Sequence, residues 1–300
     1  MNAVMQVNQA ACVILASNKV ADKLGIPKEK RVYLRSCADA VEPGYFFSVR
    51  PNLGTSHAMV ECIDTALKRA NVTAKDVNVF DLYSCFPIAV EVACDFLGID
   101  PRKDPRPITV TGGLPYYGGP GNSYVLCSIA AMVEQLRKRP VNELGLVTAN
   151  GWFLTKHSCG VYSRTPPPQG KWEREDPKLT QARADKRAGQ LVSVSDSPEG
   201  EGVVEAYIVD FSVKKQKPKV IAVGKLVSGR DSGKRFIAST KDEDDSFGTW
   251  MERDGVGMRV KVSSAKGGRG VLEVADASMW NKQPKSGLSA PAKPASSAKL

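Results

Sequence analysis

Three hundred residues, 42% hydrophobic and 25% charged, fit a globular chain of about two domains. No apolar run approaches the ~18 residues of a membrane span, and the start lacks the basic and long apolar segments of a secretory signal. The net charge of +10 is spread thinly, apart from four lysines and no acid in the last twenty residues, so a concentrated phosphate-binding face is missing and nucleic-acid binding is disfavoured.

Seven cysteines occur singly, with no CxxC pair, and two histidines, His57 and His157, lie far apart without clustered carboxylates. This inventory argues against a disulfide framework or a metal enzyme, and for reduced thiols in an intracellular compartment.

In chain order, residues 1–16 are nearly uncharged and read as a core helix running into a core strand. Ser17 is a plausible N-cap for a short helix over 18–24, ended by Gly25. Residues 31–40 alternate as a strand does. A helix follows from about Thr55 to Ala70, with Met59, Ile63, Ala66, Leu67 and Ala70 at helical spacing. Val77–Leu82 is a strand, Tyr83-Ser84-Cys85-Phe86 a turn, and Pro87 opens a helix that Gly98 ends. The glycine-rich loop Gly112-Gly113 to Gly121 then feeds a helix capped by Asn122 or Ser123, with Val125, Ile129, Met132, Val133 and Leu136 on one face. Leu144–Ala149 and Phe153–Tyr162 are two strands joined at Asn150-Gly151, a strong hairpin signal.

The character changes at Arg164–Gly189, where Pro166-Pro167-Pro168 and mixed charge suggest a linker or wrapping arm. Five strand candidates follow: Val203–Phe211, Val220–Leu226, Arg235–Thr240, Met258–Val262 and Val271–Val274. They suit a small five-stranded β-barrel of the OB type. From Asn281 on, the Pro/Ala/Ser/Lys composition reads as disorder. The chain ends Ala298-Lys299-Leu300, a near match to the Ser-Lys-Leu peroxisomal address; a peroxisomal import receptor is the partner it implies, and the peroxisome or a related microbody the location, with the cytoplasm as the alternative.

Ligands in α/β proteins sit at strand carboxyl ends and helix N-termini, which directs attention to the two junctions, Asp81–Phe86 and Gly112–Ser123. The glycine loop lacks the Lys-Ser/Thr of a phosphate loop. Its backbone either folds a tight connection or lies against an acyl or pantetheine chain. His157 and Cys159, two apart on one strand, face the same side. A Cys–His pair is a legitimate nucleophile design, yet 6–7 Å is the rough separation along the strand, long for a hydrogen bond. Cys85 beside Tyr83 is a second pair of this kind. For both, a packing role competes with a catalytic one.

Together these motifs resemble the C-terminal half of the thiolase superfamily. Asp81-Leu82-Tyr83-Ser84-Cys85-Phe86 stands where thiolases carry Asn-Glu-Ala-Phe or His-Asp-Cys-Phe. Gly112-Gly113 through Gly118-Gly119-Pro120 resembles their segment ending Gly-His-Pro, and Thr148-Ala149-Asn150-Gly151 falls where the second catalytic cysteine lies. Asn150–His157 and the extra β-domain are similar to thiolase-like proteins of type one, which add a C-terminal OB-like domain.

The resemblance implies an α/β fold: a remnant of a preceding thiolase N-domain (1–28), a C-terminal thiolase domain with a mixed sheet covered by helices (29–165), a linker arm (166–189), an OB-like barrel (190–280) and a disordered tail (281–300). It implies an acyltransferase-family protein that takes a coenzyme A thioester as substrate or ligand, with no covalently bound cofactor and no metal. A thiolase N-domain chain or a second copy would be its protein partner. Tyr83, Phe86, Gly113, Tyr117, Gly119, Asn122 and Asn150 are the expected substrate contacts, and Cys85, His157 and Cys159 the catalytic candidates. Carry-over of the chemistry largely fails: Tyr83 replaces an Asn or His, Gly119 the histidine, and Asn150 the acid/base cysteine. Weak or absent turnover is expected; the alternative is a non-catalytic acyl-CoA-binding scaffold, with nucleic-acid binding through the OB-like domain a remote third.

Overall fold

The computed structural model describes residues 3–167, 175–211, 218–241, 244–265 and 270–275. The stretch from Asn281, with Ala298-Lys299-Leu300, lies outside the described residues. Contacts divide the chain into two compact units, Met1–Leu191 and Val192–Leu300.

In the first unit Ser17 accepts the Val20 N–H and so caps α1 (Asn18–Lys23). Strand β1 (Tyr33–Val41) turns Ser36, Ala38 and Ala40 inward, with a bulge at Arg35, since Leu34 pairs with Tyr162 and Ser36 with Val161. Helix α2 (His57–Arg69) buries Met59, Cys62, Ile63, Ala66 and Leu67. Its first turn is satisfied from two sides: Glu42 accepts the N–H groups of His57 and Ala58, and Ser56 accepts that of Met59.

After the short β2 (Val79–Asp81) comes α3 (Pro87–Leu97), opened by Pro87 and closed by Gly98 in the left-handed conformation, φ +68°. The glycine-rich segment contains α4 (Leu114–Tyr117) and a 3-10 turn at Gly121–Ser123, and it runs into α5 (Tyr124–Lys138). Strands β3 (Leu144–Gly151) and β4 (Lys156–Ser163) complete a mixed sheet of order β1-β4-β3-β2, in which only β2 and β3 run parallel. One face packs on α2, α3 and the later α6 (Pro177–Ala188), around Ile63, Phe80, Val92, Leu146, Val161 and Ala184. The other packs on α5, around Val79, Val147, Met132 and Leu136. Gly145 is required there, because a side chain on it would take the place of the Met132 sulfur. Each sheet edge is covered in part. The Gln181 amide accepts the Val41 N–H (2.9 Å) and donates to the Val41 carbonyl (2.8 Å). At the other edge Phe80 and Leu82 donate to the carbonyls of Pro107 and Ile108.

Several expectations are corrected. Residues 3–16 form neither helix nor strand, and Ile14 and Leu15 are each 90% exposed; the apolar composition reflects a strip lying on a surface rather than a core element. The hairpin does not turn at Asn150-Gly151. Both residues belong to β3, paired with His157 and Lys156, and the reversal falls on 152–155, where Trp152 and Leu154 take φ of 55° and 53°. Neither Asn122 nor Ser123 caps α5 through its side chain. Part of the expected arm, 177–188, is helix α6, anchored to α2 by Arg183 and Arg187 on Glu61. No helix among the described residues is long and apolar enough to cross a membrane.

The second unit is a closed barrel of β5 (Gly200–Asp210), β6 (Lys219–Leu226), β7 (Arg235–Ser239), β8 (Arg259–Ser264) and β9 (Gly270–Val274), in the order β5-β6-β7-β9-β8. All five strands overlap the five strand candidates read from the sequence. Closure removes the sheet edges. Val204, Phe236, Met258, Val260 and Leu272 fill the interior with Trp250 from α7 (Phe247–Glu252), a helix too short for its period to show in the sequence. Tyr207 meets Trp250 edge-on at 5.0 Å, and its hydroxyl donates to the carbonyls of Trp250 and Arg253.

Candidate functional site

The two junctions come together at the carboxyl ends of β2 and β3. Tyr83 donates its N–H to Thr148 Oγ1 at 2.9 Å, and Ser84 Oγ accepts the Leu114 N–H at 3.0 Å, tying the turn after β2 to the glycine-rich segment. Gly113 is needed at that tie, since a Cβ there would lie 2.8 Å from Ser84 Oγ. Asp81, fully buried, holds the segment from below. It accepts from the Thr109 hydroxyl (2.8 Å), the Val110 N–H (2.9 Å) and the Thr111 hydroxyl (3.2 Å). The Thr111 and Tyr124 hydroxyls are 2.6 Å apart, and the Tyr124 ring stands edge-on to Tyr83 (5.5 Å) and Tyr117 (6.0 Å). Burial, then the charge of Asp81, pushes the Tyr124 phenol up to about 12.

Asn150, at the end of β3, donates its amide to Cys85 Sγ at 3.3 Å, while its own Oδ1 is buried with no hydrogen-bond partner among the described residues. Burial raises the Cys85 thiol, and the Asn150 hydrogen bond only partly opposes this. Tyr83 beside it is raised too, by burial and then by Cys85. The nearby backbone N–H groups at the start of α3 also lower the Cys85 thiol, but no cation is among the influences on it, and burial prevails over what an activated nucleophile would require.

Phe86 is 54% exposed at the start of α3, and Asn122 is exposed in the 3-10 turn. Gly119 is buried, and its N–H donates to the Val4 carbonyl at 2.7 Å. The Tyr117 carbonyl accepts from the Gln9 amide, and the Cys85 carbonyl from the Ala3 N–H at 3.3 Å. Tyr83, Cys85, Gly113, Tyr117, Gly119 and Asn150 therefore surround one junction, with Phe86 and Asn122 outward of it.

His157 and Cys159 share the inward face of β4 and are both buried, as their spacing implies. No hydrogen bond joins them; the partner of His157 is Ser56. Nε2 lies 2.9 Å from Ser56 Oγ, which in turn donates to Glu42 at 2.7 Å. With the hydroxyl proton directed at Glu42, the imidazole is assigned as the donor to Ser56. Burial brings His157 down to about 4, against the opposing pull of the Leu154 carbonyl and Glu42, so the ring is neutral at pH 7. The Cys159 thiol is pushed well up by burial, then by Cys62 and Cys37. Glu42 and Ser56 carry no local sequence signal of such a network, although the N-cap role of Ser56 is the kind a serine before a helix announces. His157 stands opposite Asn150 in the β3–β4 pairing, so the buried network and the junction occupy neighbouring strands. Among the described residues, no group of three or more His, Cys, Asp or Glu is placed to hold a metal ion.

Residues 185–266 match the model of the thiolase-like protein type 1 additional C-terminal domain. Among solved structures, the chain is similar to a monomeric SCP2-thiolase-like protein type 1 from Mycobacterium smegmatis, at 36% identity and a TM-score of 0.75 over 86% of this chain and 53% of that one. It thus spans about half the length of that relative. The dimeric peroxisomal thiolase of Saccharomyces cerevisiae matches at 16% identity and a TM-score of 0.37, over 49% of this chain and 33% of its own, too slight a likeness to bear on the fold or the site. Comparison with curated proteins returns no match.

Proposed function

This chain belongs to the thiolase-like superfamily, and we propose from that premise that it binds acyl-CoA thioesters at the junction of Tyr83–Phe86 with Gly112–Asn122, with little or no turnover of its own. The observation that carries the second half is the Cys85–Asn150 pair. Acyl transfer needs an activated thiolate, an oxyanion site and a proton shuttle. Here the thiol at the junction is raised by burial, and its polar neighbour is an amide that does not titrate. Gly119 stands where the resemblance puts a histidine. What remains supports binding: half-buried aromatic faces at Tyr83 and Tyr117 and a glycine-lined backbone suit an acyl or pantetheine chain.

Calorimetric titration with acetyl-CoA and a long-chain acyl-CoA should give saturable binding, and a free-thiol assay should give no CoA release above background. Release that disappears in Cys85→Ala or Cys159→Ala would overturn the non-catalytic reading in favour of residual acyltransferase activity. Lack of binding to either thioester would overturn the ligand assignment.

The C-terminal Ala298-Lys299-Leu300 supports delivery to the peroxisome or a related microbody. A chain tagged at its N-terminus should lose that location when the three residues are deleted; unchanged import would sink the assignment. A thiolase N-domain chain or a second copy is the protein partner this reading calls for, and light scattering on the purified protein reads the second copy directly.

A further inference from the structure

The segment 3–9 has no regular structure of its own, yet it is bonded across both junctions. Ala3 donates its N–H to the Cys85 carbonyl, Val4 accepts the Gly119 N–H, and the Gln9 side-chain amide donates to the Tyr117 carbonyl. From Val7 to Ile14 the residues alternate between half-buried and exposed, the period of an extended chain lying on a surface. The surface beneath is built for close approach. A Cβ on Gly118, itself at φ +103°, would come within 2.8 Å of Val7 Cγ1, and one on Gly119 within 3.1 Å of the Ala3 Cβ. Gly119 is outside the left-handed region, so its backbone would accept a side chain. What crowds one is Ala3 together with Leu114, whose Cδ2 would lie 3.3 Å away. A side chain at 119 would press on the segment 3–4 in this position and require Ala3 or Leu114 to give way.

We propose that the trough over Gly118-Gly119 is a docking groove for an extended peptide, that residues 3–9 of this chain are its occupant, and that this plug restricts access of an acyl thioester to Cys85 and Asn150. The groove offers backbone groups only, donating from Gly119 and accepting at Cys85 and Tyr117; Ala3 and Val4 meet two of them with their own backbone and Gln9 the third with its side-chain amide, so amide groups are what it selects. A pantetheine arm, with two amides, competes for the same three groups. The identity of the excluded ligand rests on the acyl-CoA reading; the plug itself does not.

The test compares the full chain with a chain lacking residues 1–9 and with Val7→Asp, following iodoacetamide labelling of each cysteine by peptide mass spectrometry. The buried thiols of Cys62 and Cys159 report on the integrity of the fold. Cys85 should label about tenfold faster in both variants while Cys62 and Cys159 keep their slow rates, and acetyl-CoA should bind about tenfold more tightly. Equal labelling of Cys85 in all three proteins overturns the plug. If the deletion also opens Cys62 and Cys159, Val7→Asp, which keeps the full length, decides by the same reading. Faster labelling with unchanged affinity for acetyl-CoA overturns the gating. Faster labelling with no binding in any form keeps the plug and removes acyl-CoA as the ligand it excludes.

Discussion

His157 is a base kept neutral by where it is buried, and that has a thermodynamic consequence. Its folded pKa of about 4 lies below the 6.5 of a free imidazole. The unfolded chain therefore takes up the proton more readily, so the contribution is fully present above pH 6.5 and is lost as the pH falls from 6.5 toward about 4. A gap of this size corresponds to about 3 kcal/mol. His57, also lowered by burial, acts in the same sense. His157→Gln keeps a donor for Ser56 and removes the titration. Urea unfolding between about pH 5.5 and 7, above the range where Glu61 and other lowered carboxylates titrate, should then lose most of its pH slope, leaving the share of His57; an unchanged slope would place the titration elsewhere. The common face of His157 and Cys159 was legible from their spacing alone. Their chemistry was not, because Ser56 lies 101 residues before His157 and is brought to it only when α2 packs on β4.

At the scale of elements, α6 is the most demanding case. Its inward side consists of Thr180, Ala184 and Ala188, too small and too few to separate a helix from a charged arm in the sequence. What fixes it is polar. Glu61, 3% exposed, receives Arg183 at 2.6 Å and Arg187 at 3.1 Å. Burial pushes its carboxyl up, and the hydrogen bonds from Arg183, Thr65 and Arg187 bring it below the usual value. Removing both arginines leaves a buried carboxylate unpaired. Arg183→Ala with Arg187→Ala should cost about 3 kcal/mol, and the amides of 177–188 should lose hydrogen-exchange protection. Adding Glu61→Leu to the pair should recover part of that loss, because an apolar residue needs no partner there; no recovery would mean that the arginines act by packing. The hairpin failed in sequence for a different reason. Asn150-Gly151 has the chemistry of a tight turn, but β3 continues two residues further to pair with His157 and Lys156. The chain then reverses at 152–155, where the N–H and hydroxyl of Thr155 both bond the Gly151 carbonyl (3.1 and 2.9 Å). Tertiary pairing overrode a local preference, and Trp152 and Leu154 bear the strain. The barrel strands, short and separated by polar turns, have no such competition and were legible one by one.

At the scale of the molecule, the barrel carries its own core: Val204, Phe236, Trp250, Met258 and Leu272 all lie within 192–300. A fragment of residues 192–300 should fold alone and melt in one cooperative transition; a broad, gradual melt would show that it depends on the rest of the chain. The two sheets treat their margins differently. The barrel has none, while the open sheet is bounded by one glutamine amide at Val41 and by the Pro107-Ile108 backbone beside β2. Gln181 presents one donor and one acceptor, the same pair that a neighbouring strand would bring to that rung. At Val41, Phe80 and Leu82 the hydrogen-bonding positions that could seed fibril growth are therefore already filled from within the chain. A second molecule that sought to add a strand there would first have to lift α6 or the 107–108 backbone away, which places resistance to aggregation in the same contacts that fix α6.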